Sequence, residues 1–490
     1  MGRFGLPAIV VLFVVLANSW TASATTILEL TGSHAFVLPN SGRVVPGDPS
    51  VAFFNPALLP WVDEGFSVSS FSLGQLLDID LDQRPAGADI SAGIYDARLL
   101  LPDGSTTRLP YRPLATEDLR STRGSADPDD FAEYIGIGTV LHFIPERLAF
   151  GLHAIVPLLD FQVQQAYFPD EREQFFSNSL HFELLGDRTR VNVFSAALAG
   201  RPLRWLSVGA GVTMSTAGKV RTQVYVPDVT YQETADINTE LGIDVRLIPH
   251  FSLAAEPLEH LLLSASVHLP YRSQVAGRSE LQMWNYPYAE GKDSLDHVFE
   301  FTYGYEPLRV ALGGSFEHDL RADLSIFVAG QVRYARWSDY LDRHGERPAD
   351  AWSDTVSGSL GGGLLISGHR IGLECGFSPS PVPEQTGRSN YVDNHRVVGG
   401  AGWEMPLALG PRTLRVGINL QVQRLLPQSV KKSPDAAQPV WDEFPDTVVD
   451  MVSGQQIPEA AGLQTNNPGY PGFGSSGWLV GGGVFARTAF

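Results

Sequence analysis

The chain has 490 residues, and 35 basic against 54 acidic side chains give a formal net charge of −19. Charged residues are 18% of the total, below the ~25% of ordinary soluble domains, and mean hydropathy is close to zero. That combination excludes a disordered chain and a bundle of membrane helices, and the acidic balance argues against nucleic acid. One cysteine, Cys375, excludes an internal disulfide and any CxxC motif.

In chain order, the first element is a targeting segment. Arg3 precedes an apolar run from Ile9 to Ala17, and Ala22-Ser23-Ala24 supplies a small-residue cleavage site. Residues 1–24 are therefore expected to be a Sec signal peptide. From Thr25 to about residue 64 the chain carries Pro39, Pro46, Pro49, Pro56 and Pro60, too irregular for a strand run and long enough to fold back as a plug. Asp78, Asp80 and Asp82 then share one face. They lack the Gly and terminal Glu of an EF-hand loop, so a solvated acidic strand extension is expected and no metal site.

Beyond this, segment after segment alternates with period two: 148–156, 206–214, 261–271, 308–316, 324–334, 355–366, 369–377 and 414–422. The last is the cleanest, with Leu414, Val416, Ile418, Leu420 and Val422 against Arg415, Gly417, Asn419, Gln421 and Gln423. Tight connections such as 145–147 and 201–204 alternate with long ones at about 158–189, 217–247, 338–354 and 425–476. The chain ends on an alternating run from Trp478 to a terminal Phe490, resembling the signal read by the barrel-assembly machinery of bacterial outer membranes. Strands of this length, unequal connections and an export signal predict an all-β protein. The expected fold is a transmembrane antiparallel β-barrel over 65–490, with residues 25–64 as a luminal hatch. Both ends on one side require an even strand number, here about fourteen.

Several motifs then coincide. GDPSVAFFNPALL (Gly47 to Leu59), RWLSVGAGVTMSTAGKV (Arg204 to Val220) and LPYRSQVAGRSEL (Leu269 to Leu281) are followed by Arg336-Trp337-Ser338-Asp339-Tyr340 and GFSPSPVPEQTGRSNYVDNHR (Gly376 to Arg396). In order and spacing they resemble the FadL/TodX family of outer-membrane transporters of long-chain fatty acids and other hydrophobic compounds. The sequence departs from that family in lacking its AGF-like hatch opening and in the length of loop 425–476. The resemblance implies passive uptake through an extracellular groove, an occluded luminal pocket, hatch movement and lateral escape through a strand kink. It places Asn55, Pro56 and Ala57 at the junction of hatch and first strand.

The aromatic residues Phe161, Tyr167, Phe168, Phe175 and Phe176 of loop 158–189, with Phe182, are candidates for a ligand groove or for interface and loop packing. Arg309, Arg333, Arg370 and Arg415 lie on polar strand faces, able to hold a carboxylate head or to pair internally with Glu317 or Glu374. No GxSxG, HExxH or Walker loop is present. The expectation is no enzyme and no cofactor. The expected partners are a hydrophobic small molecule, outer-membrane lipid and lipopolysaccharide, and the barrel-assembly machinery through Phe490, the protein acting as a monomer. The competing reading is a general diffusion porin or a structural barrel.

Overall fold

The computed structural model describes residues 27–82, 98–100, 103–108, 125–126, 130–158, 180–182, 184–226, 236–283, 294–342, 345–348, 350–387, 389–409, 412–433, 452–455, 469 and 471–489. The expected signal peptide, Phe161, Tyr167, Phe168, Phe175, Phe176 and Phe490 lie outside the described residues.

The strands of the wall are β1 (Gly65–Leu81), β2 (Asp130–Ile144), β3 (Leu148–Pro157), β4 (Val193–Leu203), β5 (Leu206–Val226), β6 (Asp236–Leu258) and β7 (Leu261–His268). They continue as β8 (Leu308–Arg321), β9 (Leu324–Arg336), β10 (Thr355–Ile366), β11 (His369–Ser378), β12 (Arg396–Leu409), β13 (Arg412–Lys431) and β14 (Gly472–Ala489). Each pairs antiparallel with the next in sequence. β14 closes on β1 in register from Gly65↔Ala489 to Leu81↔Phe473. Among the described residues the result is one closed ring of fourteen antiparallel strands, with the start of β1 and the end of β14 on one side, as the parity argument requires.

Side-chain direction follows the pleat. Val68, Leu198, Val208, Leu312, Val328, Leu360, Leu373, Leu420 and Val480 point outward and are exposed, while their neighbours in sequence turn into the ring. Among the described residues no helix is long and apolar enough to span a membrane. An apolar belt on closed strands is the arrangement that leaves no backbone group unpaired in hydrocarbon. Connections at the end where β1 starts and β14 finishes are short. Ser367 and Gly368, with φ of 49° and 82°, form the two-residue turn between β10 and β11, and this pair of positive φ values gives the turn a twist that matches the right-handed twist of the strands. The turn after β8 is Ala322-Asp323.

Two regions depart from the sequence reading. The expected loop 217–247 is mostly a ladder, since β5 and β6 stay paired from Val212↔Pro249 out to Tyr225↔Asp236. Beyond the membrane neither face of a strand has to be apolar, so the alternation disappears while the hydrogen bonds persist. Loop 425–476 likewise shortens at both ends, to the residues between Lys431 and Gly472. A hairpin of strands Tyr271–Met283 and Ser294–Glu306 sits outside the ring and pairs in parallel with the outer part of β5, making an extension at the loop end.

Candidate functional site: the occupied lumen

The lumen of this ring is filled by the chain's own N-terminal residues. Between Ile27 and Val62 nearly every residue is buried. The segment comprises α1 (Ile27–Thr31), a 3-10 turn Ser41–Val44, α2 (Val51–Phe54) and a second 3-10 turn Pro56–Trp61. The turn 41–44 packs on β8, β9 and β10, whereas α2 and the turn 56–61 pack on β3, β4 and β5. Strands on both sides of the ring are touched, so the segment crosses the interior.

Its shape follows from local sequence. α1 stops at Gly32, whose φ of 76° is a left-handed C-terminal stop and whose N–H donates to Leu28 O at 2.7 Å. A Cβ there would meet Pro39 O at 2.0 Å, so this position requires glycine. The Arg43 guanidinium donates to the carbonyls of Leu28 and Glu29 at 2.9 Å each, satisfying groups that a helix end leaves open. Asp48 accepts from Ser50 N and Ser33 Oγ at 2.7 Å, tying the start of α2 to the loop before it. Asn55 leaves helical geometry at φ −159°, and Pro56, needing no N–H partner, opens the next turn.

The wall is built to receive this segment. On β13, Gln423 Nε2 donates to Leu30 O at 2.9 Å, Gln421 Nε2 to Thr31 O at 3.0 Å, and Asn419 Nδ2 to Phe36 O at 3.3 Å. On β11, Glu374 accepts from Asn40 N at 2.9 Å, Asn40 Nδ2 at 3.1 Å and Ser41 N at 2.7 Å. His250 and His268, paired across β6 and β7, stack at 4.9 Å and direct Nε2 at the α2 carbonyls of Ala52 (2.9 Å) and Phe54 (3.5 Å). Ser252 Oγ accepts from Ala57 N at 2.7 Å. Where the backbones meet, the wall has glycine: a Cβ on Gly209 would lie 2.4 Å from Ala57 N, and one on Gly402 2.5 Å from Val37 Cα.

Toward the loop end the lumen is apolar. Ile27, Leu28 and Leu30 pack with Phe71, Leu73, Leu77 and Ile79 of β1 and with Leu425, Val430 and Phe473. Leu180, Phe182, Leu185 and Val191, from the connection between β3 and β4, join the same cluster. His34 stacks on Phe71 at 4.0 Å and 7°, sharing a 2.7 Å hydrogen bond with Thr31 Oγ1. Burial, and secondarily His153, pushes the His34 imidazole down to about 3, so it is neutral here.

Beside this apolar cluster lies an ionic one. Glu29 of α1 receives Arg43 at 2.9 Å and Arg333 of β9, with Arg309 of β8 at 3.8 Å; Arg309 also pairs with Glu306. Burial alone would raise the Glu29 carboxyl, but the Arg309, Arg333 and Arg43 guanidiniums outweigh it and hold it well below the usual carboxylate range. A cavity of about 20 Å³ lined by Glu29, Arg43, Asn55, Ser264, Arg309 and Arg333 adjoins the cluster. At the other end, a cavity of about 400 Å³ is lined by Pro46, Trp61, Arg370, Arg415, Arg487 and the start of β1.

By sequence the chain matches no protein-family model and no curated protein. By structure it aligns with the crystal structure of a Pseudomonas aeruginosa FadL homologue over 96% of this chain and 98% of that one, at 13% identity and a TM-score of 0.51. The chain has the FadL fold. The P. putida toluene transporter TodX aligns over 94% of this chain and 99% of its own, at 12% identity and a TM-score of 0.46.

Within this FadL-type barrel the four arginines read from the sequence separate into two places. Arg309 and Arg333 converge on Glu29 near the loop end. Arg370 sits over the Phe36 and Phe327 rings at 5.3 and 5.7 Å, and Arg415 pairs with Glu404 at 3.1 Å, both facing the larger cavity. Glu317 and Glu374, weighed as internal partners, give way to Glu29, Glu306 and Glu404, and Glu374 is committed to the lumen segment. Asn55-Pro56-Ala57 rests on β5 and β6, with Leu58 to Glu64 between it and β1. Phe182 belongs to the buried apolar cluster. Glu29, Arg43 and the β13 amides were not singled out from the sequence; the polar face of 414–422 was the available signal for Asn419 and Gln421.

Proposed function

We propose that this chain is an outer-membrane transporter of the FadL/TodX kind that passes hydrophobic small molecules passively through a barrel closed by its own N-terminal segment. One observation carries this reading: the buried path of Ile27–Val62 across the ring, which, among the described residues, fills the lumen and packs into an apolar cluster at the loop end. Lipopolysaccharide is a polar barrier to an apolar solute, and a water-filled pore offers such a solute no affinity. An apolar lumen closed by a removable plug does. The loop end then faces outside and the end with the short turns faces the periplasm. Residues 1–24 act as the export signal, Phe490 as the assembly signal, and the barrel works as a monomer.

In this reading the N-terminal segment is a hatch whose hold on β11 and β13 is released as solute moves inward, and Asn55-Pro56-Ala57 is the part that works against the wall. Exit is sideways through the wall, as the resemblance implies. Planar-bilayer recording of the refolded barrel tests occlusion: the full chain stays silent, and a variant lacking Thr25 to Asp63 conducts. Steady ohmic openings of the full chain would overturn the reading in favour of a diffusion porin. Cross-linking β3 to β4 through cysteines at the paired positions Leu152 and Ala196, in a Cys375→Ser background, tests the sideways exit there. Uptake that survives the cross-link rules out this seam.

A further inference from the structure

At the end with the short turns the wall carries more positive charge than it pairs. Arg370 of β11, Arg415 of β13 and Arg487 of β14 all line the cavity of about 400 Å³. Arg415 and Arg487 stand directly opposite one another in the β13–β14 ladder, a like-charge placement that is unfavourable unless an anion joins them. Glu404 of β12 is that anion. Its side chain is fully buried, one oxygen accepting from Arg415 Nη1 at 3.1 Å and the other from Arg487 Nη2. Arg370 is the direct ladder neighbour of Glu404, yet among the described residues it forms no ion pair. Its guanidinium rests over the Phe36 and Phe327 rings instead.

Two donors define what is missing. Arg370 Nε and Arg487 Nε are buried and have no hydrogen-bond partner, a state that folded proteins rarely leave uncorrected. Thr413, Thr488 and Ser67 add hydroxyls to the lining. The carboxylates that line the cavity are Asp48 and Asp63, and Glu317 shares with Arg370 the adjoining cavity of about 170 Å³. Asp48 accepts from Ser33 and Ser50, Asp63 is exposed, and among the described residues neither forms an ion pair with these arginines. The guanidiniums arrive from three strands, so a second flat carboxylate would meet only some of their donors. A tetrahedral oxyanion presents acceptors in more than one plane, and arginine binds phosphate oxygens through its fork of N–H groups.

We propose that this cavity is a binding site for a phosphate group, held by Arg370 and Arg487 with Arg415 as the third charge. Its volume of about 400 Å³ is that of a small-molecule pocket, so the phosphate is either free or the head of a larger molecule. Bound there, it would offset the repulsion between Arg415 and Arg487 next to the seam of β14 with β1, and so stabilise that end of the ring. The site stands apart from the apolar solute and does not depend on the transport reading.

Calorimetry on the refolded full-length barrel in neutral detergent tests this, at constant ionic strength, with inorganic phosphate and monomeric dihexanoyl phosphatidate as the two probes. Binding of inorganic phosphate supports a site for the free anion; binding of phosphatidate alone supports a site for a lipid headgroup. Arg370→Met is expected to weaken whichever probe binds by about tenfold to a hundredfold, the worth of a charge-assisted hydrogen bond. Glu404→Gln removes the resident carboxylate and is expected to tighten the same probe, so the two variants move in opposite directions. Arg336→Gln, at the loop end and paired with Asp339, should change nothing. Unboiled gel mobility checks that each ring has closed, and the temperature at which that mobility is lost should rise with the bound probe, which keeps a poorly refolding variant readable. Binding of neither probe, equal weakening in Arg336→Gln, or weakening in both Arg370→Met and Glu404→Gln would overturn the proposal.

Discussion

The lumen segment is held at its middle by Glu374. This carboxylate, on β11 and 8% exposed, accepts from two backbone amides, Asn40 N and Ser41 N, and from the Asn40 side chain. The 3-10 turn 41–44 begins there, so its first donors have no acceptor within the turn. A hydrogen bond to a charged group contributes ~1.5–3 kcal/mol, and a buried amide left without a partner costs ~1–3 kcal/mol. For Glu374→Ala, two orphaned amides put the loss at about 2–6 kcal/mol, or roughly 30-fold to 20,000-fold in the docking equilibrium of the segment. Glu374→Gln keeps one oxygen as acceptor and loses the charge, for about 1–2 kcal/mol. Hydrogen exchange by mass spectrometry on the refolded barrel reads this directly. The peptide covering residues 38–45 should exchange faster in the order Ala, Gln, wild type, with the β13–β14 ladder unchanged as the internal reference. Wild-type exchange rates at Asn40 and Ser41 in the Ala variant would rule this anchor out, because the amides would then owe nothing to this carboxylate.

Three further outcomes are expected. Gly209→Val places side-chain atoms where Ala57 N and Pro56 C already stand, so the segment should lift from β5 and residues near 57 become open to protease, while the boiled-versus-unboiled gel shift of the barrel stays intact. Acid should loosen the segment through His34. Its ordinary value of 6.5 falls to about 3 when docked, so the undocked form binds the proton more readily and stability is lost as pH falls from 6.5 toward 3. At pH 5 the loss is about 2 kcal/mol, which should show as faster exchange than at pH 7 and a flatter pH slope in His34→Gln. Cys375 is exposed on the outward face beside Leu360 and Leu373. In liposomes it should react with a membrane-soluble maleimide and resist a charged one; equal labelling would place that face in water.

The strands that sequence alone shows best are those with a sharp contrast between faces. β13 has lipid on one side of Leu420 and Val422 and hydrogen-bonding amides on the other, so its alternation is complete. β1 lacks that contrast. Phe66 and Val68 point outward, while Phe71, Leu73 and Leu77 point into a lumen that is packed like a protein core. Apolar residues on both faces erase the period of two, and the strand's limits are obscured with it. At the cluster, Arg309 and Arg333 were visible because a charge on a wall strand stands out. Their carboxylate was not: Glu29 is 304 positions from Arg333, in a helix too short to carry a pattern, and no spacing rule links the two.

The seam that closes the ring has a consequence for how the wall can form. β1 is the first strand in the chain and β14 the last, and they share a ladder along the whole of β1, 17 residues long. Until the final strand arrives, β1 presents an open edge, and the lumen segment attached to it has no complete cavity to enter. An unpaired edge of that length is a template for any passing chain. Joining the two ends also carries the entropy of closing nearly the full polypeptide. The interval between delivery of β1 and delivery of β14 is therefore when this chain is most exposed to mispairing. Whatever escorts it to the membrane has to shield that edge until β14 is in place.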